Sequence, residues 1–538
     1  MMRIASVSQM RRIEAEADSS GLSYLQMMEN AGQALADRIG AHLSQKHEAH
    51  VLLLIGAGNN GGDGLVAART LAEGGRMRIS CYLLRERSGD PLLASARSAG
   101  ASIRLATEDP QRNVLEALCA DADLVVDALL GIGLRLPLRD DVAQLLEAAG
   151  KAIALRRSGQ RAPLHTLEMP PPRDSHAAPL VLAVDCPSGL DCDSGDVAEQ
   201  SLPADETLTF IAAKPGLLRP PGALICGRLS FASAGVSGDL PPLLDNTRVL
   251  ADPLLIQSLL PPRPRDAHKG SFGKLLIIGG SANYRGAPGL SALAAQRAGA
   301  GLVTVSAPEN VVNALAAQQP GVTWLPDSIA ALRDALPGYS ALVLGPGLGM
   351  SDRSHDLLRR VLALELPPLL VDADALNLLA TLQDWPRLLP RGTVITPHPG
   401  EVARLANLPL NQVQQNRWQL APELATRWKV TLVFKGAFTL VASPNEPVTV
   451  LPFASDALAR AGSGDVLAGA VGALLAQGCP PQSAAIAGSY LQGLAALLAA
   501  ERVGSSRSPL ATEIADCLAT ALQRTESKWS AWGTLGTR

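Results

Sequence analysis

Aromatic residues make up only 3% of this 538-residue sequence, and its seven cysteines are scattered, odd in number and without a CxxC pair. This usage excludes a disulfide framework and gives no zinc site, so we expect reduced thiols in a cytoplasmic protein. The formal net charge of −3 gives no electrostatic reason to bind nucleic acid. We find no run long and apolar enough for a membrane span and no signal-peptide pattern, and therefore expect no membrane partner.

Glycine and proline, in contrast, are abundant, with 49 and 39 residues, and 47% of the sequence is hydrophobic. The length exceeds that of one ordinary domain and predicts two to four domains. The composition favours sheets and helices of Ala, Leu and Val joined by tight loops. We therefore expect an α/β protein.

Helix-like and strand-like segments alternate along the N-terminal half. Ser6 and Gln9 fit a capping box, and Met10, Ile13 and Ala17 follow at helical spacing. Apolar strands then read VLLLIG, RISCYLL, DADLVVDALLGIG, PLVLAVDCPSGLD, TLTFIAAKPG and GRLSFASAGV. This alternation predicts a doubly wound parallel sheet with its ligand site at the carboxyl ends of the strands.

Composition also predicts the boundaries. A stretch rich in Pro, Arg and His without periodicity, 156–178, predicts a surface insertion. A second stretch rich in Pro and Arg, 236–268, predicts a junction, after which strands resume with KLLIIGGS and GLVTVSAP. We therefore expect domains over 1–235 and 269–525, and a loose polar tail over 526–538.

The loop after the first strand is rich in glycine and in polar side chains. Gly56, Gly58 and Gly61 spell GxGxxG, which keeps a dehydrogenase open as an alternative, but the ribose-binding acid expected after the next strand is supplied only by Glu86. The loop also carries two asparagines and Asp63, more polar groups than phosphate binding requires.

Carboxylates end two further strands of the same predicted sheet. Asp127 precedes GIG and Asp185 precedes PSGLD, so both can converge with the asparagines at one edge. Amide, carboxylate and hydroxyl oxygens suit a hard cation, with Asn60, Asp127 and Ser188 as candidate ligands. The alternative is that the two aspartates only cap helices.

The motifs NNGGDGLVAAR, VVDALLGIGL and VDCPSGLD resemble the N-terminal epimerase domain of the NAD(P)H-hydrate repair enzymes over roughly the first 230 residues. The resemblance implies a Rossmann-like domain that binds hydrated NADH and NADPH and a potassium ion. The implied substrate-binding residues are Asn59, Asn60, Gly61, Gly62, Asp63, Gly131, Ile132, Gly133, Leu134, Arg135, Leu136, Pro137 and Asp185, and the implied potassium ligands are Asn60, Asp127 and Ser188.

The chemistry of the hydrate agrees with these residue types. Its hydroxyl lies on a ring carbon next to nitrogen, so the nitrogen lone pair can expel it and the carbon loses its handedness before water returns. Asp185 is the candidate catalytic residue that moves the protons. Lys214 either assists it or is a solvated lysine.

In the C-terminal half, AGSGDVLAG places small residues and Asp465 where a helix begins, with a stop signal at Gly478. Backbone N–H groups at such a helix start bind anions, and the missing side chains let an anion approach. The alternative is a carboxylate that only stabilises the helix dipole. The absence of a GxxxxGK[ST] loop argues against a P-loop nucleotidase.

Seven motifs in order, HKGSFGKLLIIGGS, GAPGLSALAAQRAGAGLVTV, GPGLG, VDADALN, TPHPGE, KGAFT and AGSGDVLAG, resemble the ADP-dependent NAD(P)H-hydrate dehydratases, which are ribokinase-like. The resemblance covers nearly all of 250–500. It implies hydrate binding at Ala287, Gly347, His398 and Asp465, and nucleotide binding at Lys435, Gly436, Ala437, Phe438, Thr439 and Gly464. The stretch PFASDALARAGSGD departs from the usual Asn-Gly-Asn-Pro-Gly type of turn, but leaves these positions intact.

The implied mechanism uses Asp465 as general base toward the substrate hydroxyl while backbone N–H groups hold the terminal phosphate of ADP. Magnesium is expected with the nucleotide. Lys435 either pairs with phosphate or is solvated, and Glu401 either orients the water shell of the metal or is solvated.

Together the motifs predict two doubly wound domains in a bifunctional enzyme that epimerises the R and S hydrates and dehydrates the S form with ADP as co-substrate. We expect K⁺ and Mg²⁺ as cofactors and a homo-oligomer. The alternative from another class is a ribokinase-like small-metabolite kinase fused to a non-catalytic nucleotide-binding module.

Overall fold

The structure, a computed structural model, describes residues 2–159 and 179–526. Most of the predicted insertion, 156–178, and residues 527–538 of the predicted tail lie outside the described residues. The first residues of the predicted insertion instead close a long helix that ends at Gly159.

The chain divides into two compact units, the first from Arg3 to Asn246 and the second from Thr247 onward. The first unit holds alternating strands and helices, as the apolar pattern predicts. Strand β1, Met2–Arg3, precedes them and is part of the eleven-stranded sheet. In chain order the elements of the first unit are α1 Val7–Ser19, α2 Tyr24–His42, β2 Ala49–Ile55, α3 Asn59–Glu73, β3 Met77–Leu83, α4 Pro91–Ser98, β4 Ser102–Leu105, α5 Asn113–Asp121, β5 Leu124–Ala128, α6 Asp140–Gly159, β6 Leu180–Val184, β7 Glu206–Phe210, β8 Arg228–Ala232 and α7 Pro241–Leu244.

The seven-stranded sheet of this unit has the order β4-β3-β2-β5-β6-β7-β8, and every neighbouring pair is parallel. The central strands are buried on both faces, which explains why β2 reads as an uninterrupted apolar run. The chain winds outward from β2 in both directions, so the switch point lies between β2 and β5. Ligands of such sheets bind at the carboxyl ends of the strands beside that point.

Helix α1 begins as predicted. Ser6 is its N-cap and forms a capping box with Gln9, and Met10, Ile13 and Ala17 are its buried residues. The buried face packs with Met27 of α2 and Ala212, which follows β7. The two helices therefore lie over the carboxyl end of β7, where they help to close the first site.

The second unit repeats the alternation with more helices. In chain order its elements are β9 Arg248–Leu250, α8 Pro253–Leu259, β10 Lys274–Ile278, α9 Ala287–Arg297, β11 Leu302–Ala307, α10 Glu309–Leu315, β12 Thr323–Pro326, α11 Ile329–Ala335, β13 Ala341–Leu344, α12 Asp352–Leu362, β14 Leu369–Val371, α13 Asp374–Leu379, β15 Val394–Ile395, α14 Pro399–Ala406, α15 Leu410–Gln415, α16 Arg417–Trp428, β16 Thr431–Phe434, β17 Leu440–Ala442, β18 Val448–Val450, α17 Ser463–Ala476, α18 Pro481–Val503 and α19 Ala511–Glu526.

The sheet of the second unit runs β12-β11-β10-β13-β14-β15-β16 through parallel pairs, so its chain also winds outward from its first central strand. Strands β17 and β18 then follow β16 in antiparallel pairing, and β9 pairs parallel with β18. The KGAFT stretch is the turn between β16 and β17, which ends the predicted alternation there. The fold class, two doubly wound α/β units, is confirmed.

The stretch 236–268, expected as a junction, carries regular structure. Helix α7 ends before the division between the units, while β9 and α8 belong to the second unit. Val249, Leu250 and Ile256 are buried, because β9 extends the second sheet and α8 packs against α18 and α19. Burial of these apolar residues makes the stretch part of the folded units. Its Pro-rich composition does not indicate this.

Helix α18 corrects one expectation. Its 23 residues make it long and apolar enough to cross a membrane, although we expected no such run. In the structure 78% of its most apolar window is buried, where it packs against α17 and α19. The all-round apolar composition is thus that of a helix enclosed by the second unit.

Candidate functional site

A cavity of about 390 Å³ lies at the carboxyl ends of the strands in the first unit. Its walls come from α1, α2, the start of α3, the loop after β5 and the residues that follow β6 and β7. Among the predicted site residues Asn59, Asn60, Asp63, Ile132 and Asp185 line it. The fold therefore brings the NNGGD loop, the glycine turn and the aspartate together at the switch point.

Direct contacts join these loops. The Asn60 side-chain amide donates hydrogen bonds to the carbonyl oxygens of Leu130, at 2.9 Å, and Val184, at 2.6 Å. A Cβ atom added at Gly131 would lie 2.4 Å from Asn60 Oδ1, so the turn approaches the asparagine as closely as only glycine permits. The remaining predicted residues follow in the same two segments, Gly61 and Gly62 in α3 and 133–137 after Ile132.

Asp127 and Ser188, predicted as cation ligands with Asn60, are in contact. The Ser188 hydroxyl donates to Asp127 Oδ1 at 2.6 Å, and the Ser188 backbone N–H donates to Asp127 Oδ2 at 2.7 Å. Both side chains are fully buried, and burial raises the pKa of Asp127 against these hydrogen bonds. In the described ranges Asp127 has no cationic side-chain partner.

Asp185 adopts a left-handed backbone conformation, with φ of 63°, which is uncommon for a residue other than glycine. Its Oδ1 accepts hydrogen bonds from Thr209 Oγ1 at 3.0 Å and from the Phe210 N–H at 3.1 Å, and it also pairs with Lys214 Nζ. This dense set of partners holds the carboxylate at the cavity despite the backbone strain.

Lys214 is completely buried, so the alternative of a solvated lysine is wrong. Its Nζ also donates to Thr209 Oγ1 at 2.9 Å and to the Phe210 carbonyl oxygen at 3.0 Å. Only a weak signal pointed to this pair, because 28 residues separate the two partners and the AAKPG turn follows a different strand. The parallel pairing of β6 with β7 brings them together.

The second candidate site surrounds Asp465 in the first turn of α17. Gly462 is the N-cap, with φ of 89°, and the Ser291 hydroxyl fixes the turn by donating to the Asp465 carbonyl oxygen at 2.9 Å. Burial, and then the negative charge of Asp372, raise the pKa of Asp465 to about 7. This carboxyl therefore changes its protonation state near neutral pH.

Lys435 lies at the end of β16 and faces the same turn. Its Nζ donates to Asp372 Oδ1 at 2.9 Å and lies 3.8 Å from Glu401 Oε2. A Cβ added at Gly464 would be 3.6 Å from that Nζ, which places the glycine beside the lysine. Burial acts against the charged lysine, but the two carboxylates outweigh it and raise its pKa. Because Nζ pairs with Asp372 and only 20% of the side chain is exposed, the solvated alternative is wrong here too.

His398 and Glu401 cap helix α14. His398 Nδ1 accepts from the Gly400 N–H at 3.0 Å, and Glu401 Oε2 accepts from the His398 N–H at 2.8 Å. The imidazole is half-exposed, and burial with the nearby charge of Lys435 lowers its pKa. Glu401 is buried, so it is not the solvated glutamate considered as an alternative.

Ala287 and Gly347 meet at the switch point of the second sheet. Gly347 has φ of 65°, and a Cβ there would lie 2.6 Å from the Tyr284 carbonyl oxygen and 2.8 Å from Ala287 Cβ. A cavity of about 550 Å³, lined in part by Asp374 and Gly349, opens beside them. Two of the four predicted hydrate-binding residues, Ala287 and Gly347, thus lie on the two sides of the switch point, while the described lining of the cavity includes none of the predicted site residues.

The predicted nucleotide loop is held by an arginine that we did not single out from the sequence. Arg417, at the start of α16, donates to the carbonyl oxygens of Ala437 at 3.0 Å, Phe434 at 3.2 Å and Lys435 at 3.3 Å. Burial lowers its pKa to about 10. Gly436 has φ of 143° and lies against the guanidinium group, so the loop and Arg417 form one packed unit.

Asp372 and Asp374 were likewise not among the predicted site residues. They flank Ala373, whose φ of 53° is left-handed, and both affect Asp465 electrostatically. Asp374 Oδ2 accepts from the Gly349 N–H at 2.8 Å, and Asp372 Oδ1 accepts from Thr396 Oγ1 at 2.6 Å. Two carboxylates directly after a buried strand, as in VDAD, were the available signal.

Two known protein families match the chain, one in each unit. The family described as "NAD(P)H-hydrate dehydratase" matches residues 275–519, and the family described as "YjeF-related protein N-terminus" matches residues 24–216. The bifunctional NAD(P)H-hydrate repair enzyme of Coxiella burnetii is 36% identical over 514 residues, which cover 94% of this chain and 96% of that protein. The chain belongs to the bifunctional NAD(P)H-hydrate repair enzymes.

A second relative of the same name, from Escherichia coli, is 36% identical over 94% of this chain and 91% of its own length. Among solved structures, the ADP/ATP-dependent NAD(P)H-hydrate dehydratase of Bacillus subtilis, co-crystallised with ATP and Mg²⁺, has 30% identity and a TM-score of 0.45, and covers 51% of this chain and 98% of its own. The chain is thus an NAD(P)H-hydrate repair enzyme with an epimerase and a dehydratase domain, and this family membership favours repair over the small-metabolite kinase alternative.

Proposed function

We propose that the first unit interconverts the R and S hydrates of NADH and NADPH, and that the second unit dehydrates the S form with ADP, which yields AMP and phosphate. The observation that carries the proposal is the Asp465 carboxyl, whose pKa near 7 and position in the first turn of α17 beside Lys435 suit a general base next to a phosphate site.

In the dehydration, Asp465 takes the proton of the hydrate hydroxyl, and the oxygen attacks the terminal phosphorus of ADP. The bond between that phosphorus and the bridging oxygen breaks, and AMP leaves. The ring nitrogen lone pair then expels the new phosphate group, and the neighbouring ring carbon loses a proton to restore the double bond. Phosphorylation makes the step feasible because phosphate is a far weaker base than hydroxide.

Different residues around Asp465 bind the phosphate, the rest of the nucleotide and the hydrate. Lys435 and the backbone at Gly464 face the transferred phosphate, and the Gly436 to Thr439 loop holds the rest of the nucleotide. Ala287, Gly347 and His398 contact the hydrate.

Magnesium bound to the nucleotide would neutralise charge on the phosphates and would keep water ligands. The buried Glu401 carboxylate, which lies 3.8 Å from Lys435, has the oxygen donors to hold such a water.

In the epimerisation, the ring nitrogen expels the hydroxyl as water, the carbon becomes planar, and water returns to either face. Asp185 transfers protons at this carbon, and Lys214 holds its carboxylate in place. Asn59 to Asp63 and Gly131 to Pro137 bind the substrate around them.

We also propose potassium at Asn60, Asp127 and Ser188. The support is the buried Asp127 carboxyl without a cationic partner in the described part of the chain, beside the Ser188 hydroxyl and, next to that hydroxyl, the Leu130 carbonyl oxygen that Asn60 contacts. Potassium would neutralise this charge and stiffen the contact between the two substrate loops. Replacement of potassium chloride by tetramethylammonium chloride should reduce epimerisation in wild type, whereas Asp127→Asn should respond much less.

The seven cysteines are all buried and free, which agrees with a reducing cytoplasm, the location we propose. The homo-oligomer stays a prediction that light scattering can test.

The deciding experiment follows absorbance at 340 nm while the protein, magnesium, potassium and ADP act on a mixture of R and S hydrated NADH. Complete recovery of NADH, faster than spontaneous epimerisation allows, is expected. Recovery that stops at the S fraction would remove the epimerase, and phosphorylated product without NADH would restore the kinase alternative. Parallel runs with ATP determine the nucleotide preference.

A further inference from the structure

The cavity of the first unit is lined by three carboxyl groups and one ammonium group, drawn from separate elements. Glu14 comes from α1, Asp63 from α3, Asp185 follows β6 and Lys214 follows β7. Glu14 lies outside the part of the chain that the N-terminal family matches, residues 24–216, and no motif of the sequence pointed to it. The inference that follows rests on the proposed epimerisation in this cavity.

The four groups are unequally paired. Lys214 contacts Asp185 directly, so its ammonium group is already paired with a carboxylate. Within residues 2–159 and 179–526, the Glu14 and Asp63 side chains have neither a hydrogen bond nor an ion pair, and both residues line the cavity. Burial raises the pKa of both, and Asp185 and Glu14 raise that of Asp63 further, while Lys214 and the exposed Arg11 act in the opposite direction.

The cavity therefore holds an ion-paired carboxylate together with two carboxyl groups whose burial shifts them toward the protonated form. Tyr24 of α2 is the other titratable side chain of the lining. Epimerisation needs this combination of groups, because the departing hydroxyl must receive a proton while the water that returns must lose one.

We propose that Glu14 is a second catalytic acid–base residue of the epimerase, which acts together with Asp185. The Glu14 carboxyl gives its proton to the hydrate hydroxyl, the carbon–oxygen bond breaks, and water leaves as the nitrogen lone pair forms the planar iminium ion. A water molecule then adds to the other face and loses its proton to Asp185. Exchange with solvent returns the two carboxyls to their starting states, and the reverse reaction exchanges their roles.

The test follows the conversion of purified R hydrate into S hydrate by chromatography, in potassium and without ADP, so that the dehydratase is silent. Glu14→Gln keeps the size of the side chain and removes the acid. We expect its kcat to fall by at least about 10²-fold, the usual contribution of a positioned acid or base. Glu16→Gln, which changes an exposed carboxyl on the same helix, is the matched control and should keep the wild-type rate.

The pH profile separates catalysis from packing. In wild type the rate should fall as the pH rises through the elevated pKa of Glu14, because the donating form is lost. Glu14→Gln should lack this alkaline limb, and Glu14→Asp should keep it at a reduced rate. A change in packing alone would lower all rates without removing the limb, and thermal melting checks that each variant is folded.

Two results would overturn the proposal: a Glu14→Gln rate within twofold of wild type, or an alkaline limb that persists in this variant, as it would if Asp63 alone supplied the proton. Failure of the proposed function is distinct, because wild type itself would then not convert R into S hydrate.

Discussion

At the scale of single residues, the two candidate sites use carboxylates in different ways. Asp185 has a left-handed backbone conformation and is held by a buried lysine and two further hydrogen-bond donors. Asp465 instead has no such partner for its side chain in the described residues, and burial brings its pKa to about 7. The first arrangement orients a carboxylate, and the second makes one basic enough to take a proton from a hydroxyl.

Removal of the base should stop dehydration. Asp465→Asn is expected to lower the dehydration rate of S hydrate by about 10²- to 10⁴-fold, because the amide cannot accept the proton. ADP binding, measured by calorimetry, should persist. Asp352→Asn, which changes an exposed first-turn carboxylate of α12, is the matched control. Near-normal turnover of Asp465→Asn would rule out the proposed mechanism.

The pH dependence of dehydration should reflect the same carboxyl. Asp465 must be ionised to act, so the rate should rise as the pH rises through about 7 and then level off. Asp372→Asn removes the negative charge that raises this pKa, and the midpoint of the profile should therefore move to lower pH. A midpoint that stays in place or moves upward in this variant would contradict the assignment of the limb to Asp465.

At the scale of elements, the loops at the strand ends are fixed by contacts that sequence spacing cannot show. The predicted nucleotide loop after β16 is contacted by Arg417 at the start of α16, which donates to the carbonyl oxygens of Phe434, Lys435 and Ala437. The planar guanidinium group matches this set of acceptors, and its separate donors hold the turn in one shape.

Loss of this planar geometry should weaken nucleotide binding selectively. Arg417→Lys keeps the positive charge but cannot reach three carbonyls at once, so the KM for ADP should rise about 10-fold, equivalent to about 1.4 kcal/mol. Steady-state kinetics should show an unchanged KM for the hydrate. Arg427→Lys, exposed on the same helix, provides the control. An equal rise in both KM values would instead indicate a general disturbance of the unit.

These contacts separate the features of the fold and the sites that could be predicted from the sequence from those that could not. The strands, the capping box at Ser6 and the fold class followed from periodicity, and Asn60, Asp127 and Ser188 were brought together because parallel strands end at one edge. Lys214 was underestimated because its burial arises from a neighbouring strand.

Groups outside the recognisable motifs were harder to find. Glu14 lies on a helix whose position over the sheet has no local signal, and Arg417 acts only through its geometry. Periodicity predicts which face of an element is buried, but not which distant element packs against it.

At the scale of the whole molecule, the two units share one plan. Each parallel sheet winds outward from its first central strand. In the first unit the candidate site lies at the resulting switch point, and in the second unit Ala287 and Gly347 meet there. The described residues assigned to the first site lie in 3–246, and those assigned to the second lie in 247–526.

Two defective chains should therefore repair the mixture together. Asp185→Asn alone should recover only the S fraction of hydrated NADH, and Asp465→Asn alone should recover none. An equimolar mixture of the two variants should restore complete recovery, because the hydrate diffuses between intact sites. Absorbance at 340 nm measures all three reactions, and failure of the mixture would mean that the two activities must reside on one chain.

The division of the chain into two units with separate sites has a consequence for the cell. If each unit catalyses its own reaction, the covalent link between Asn246 and Thr247 fixes the molar ratio of the two activities. Translation of a single message then yields one epimerase for every dehydratase, whatever the level of expression. A fused gene thus protects the cell from an imbalance in dosage, in which surplus dehydratase would exhaust one epimer while the other accumulated.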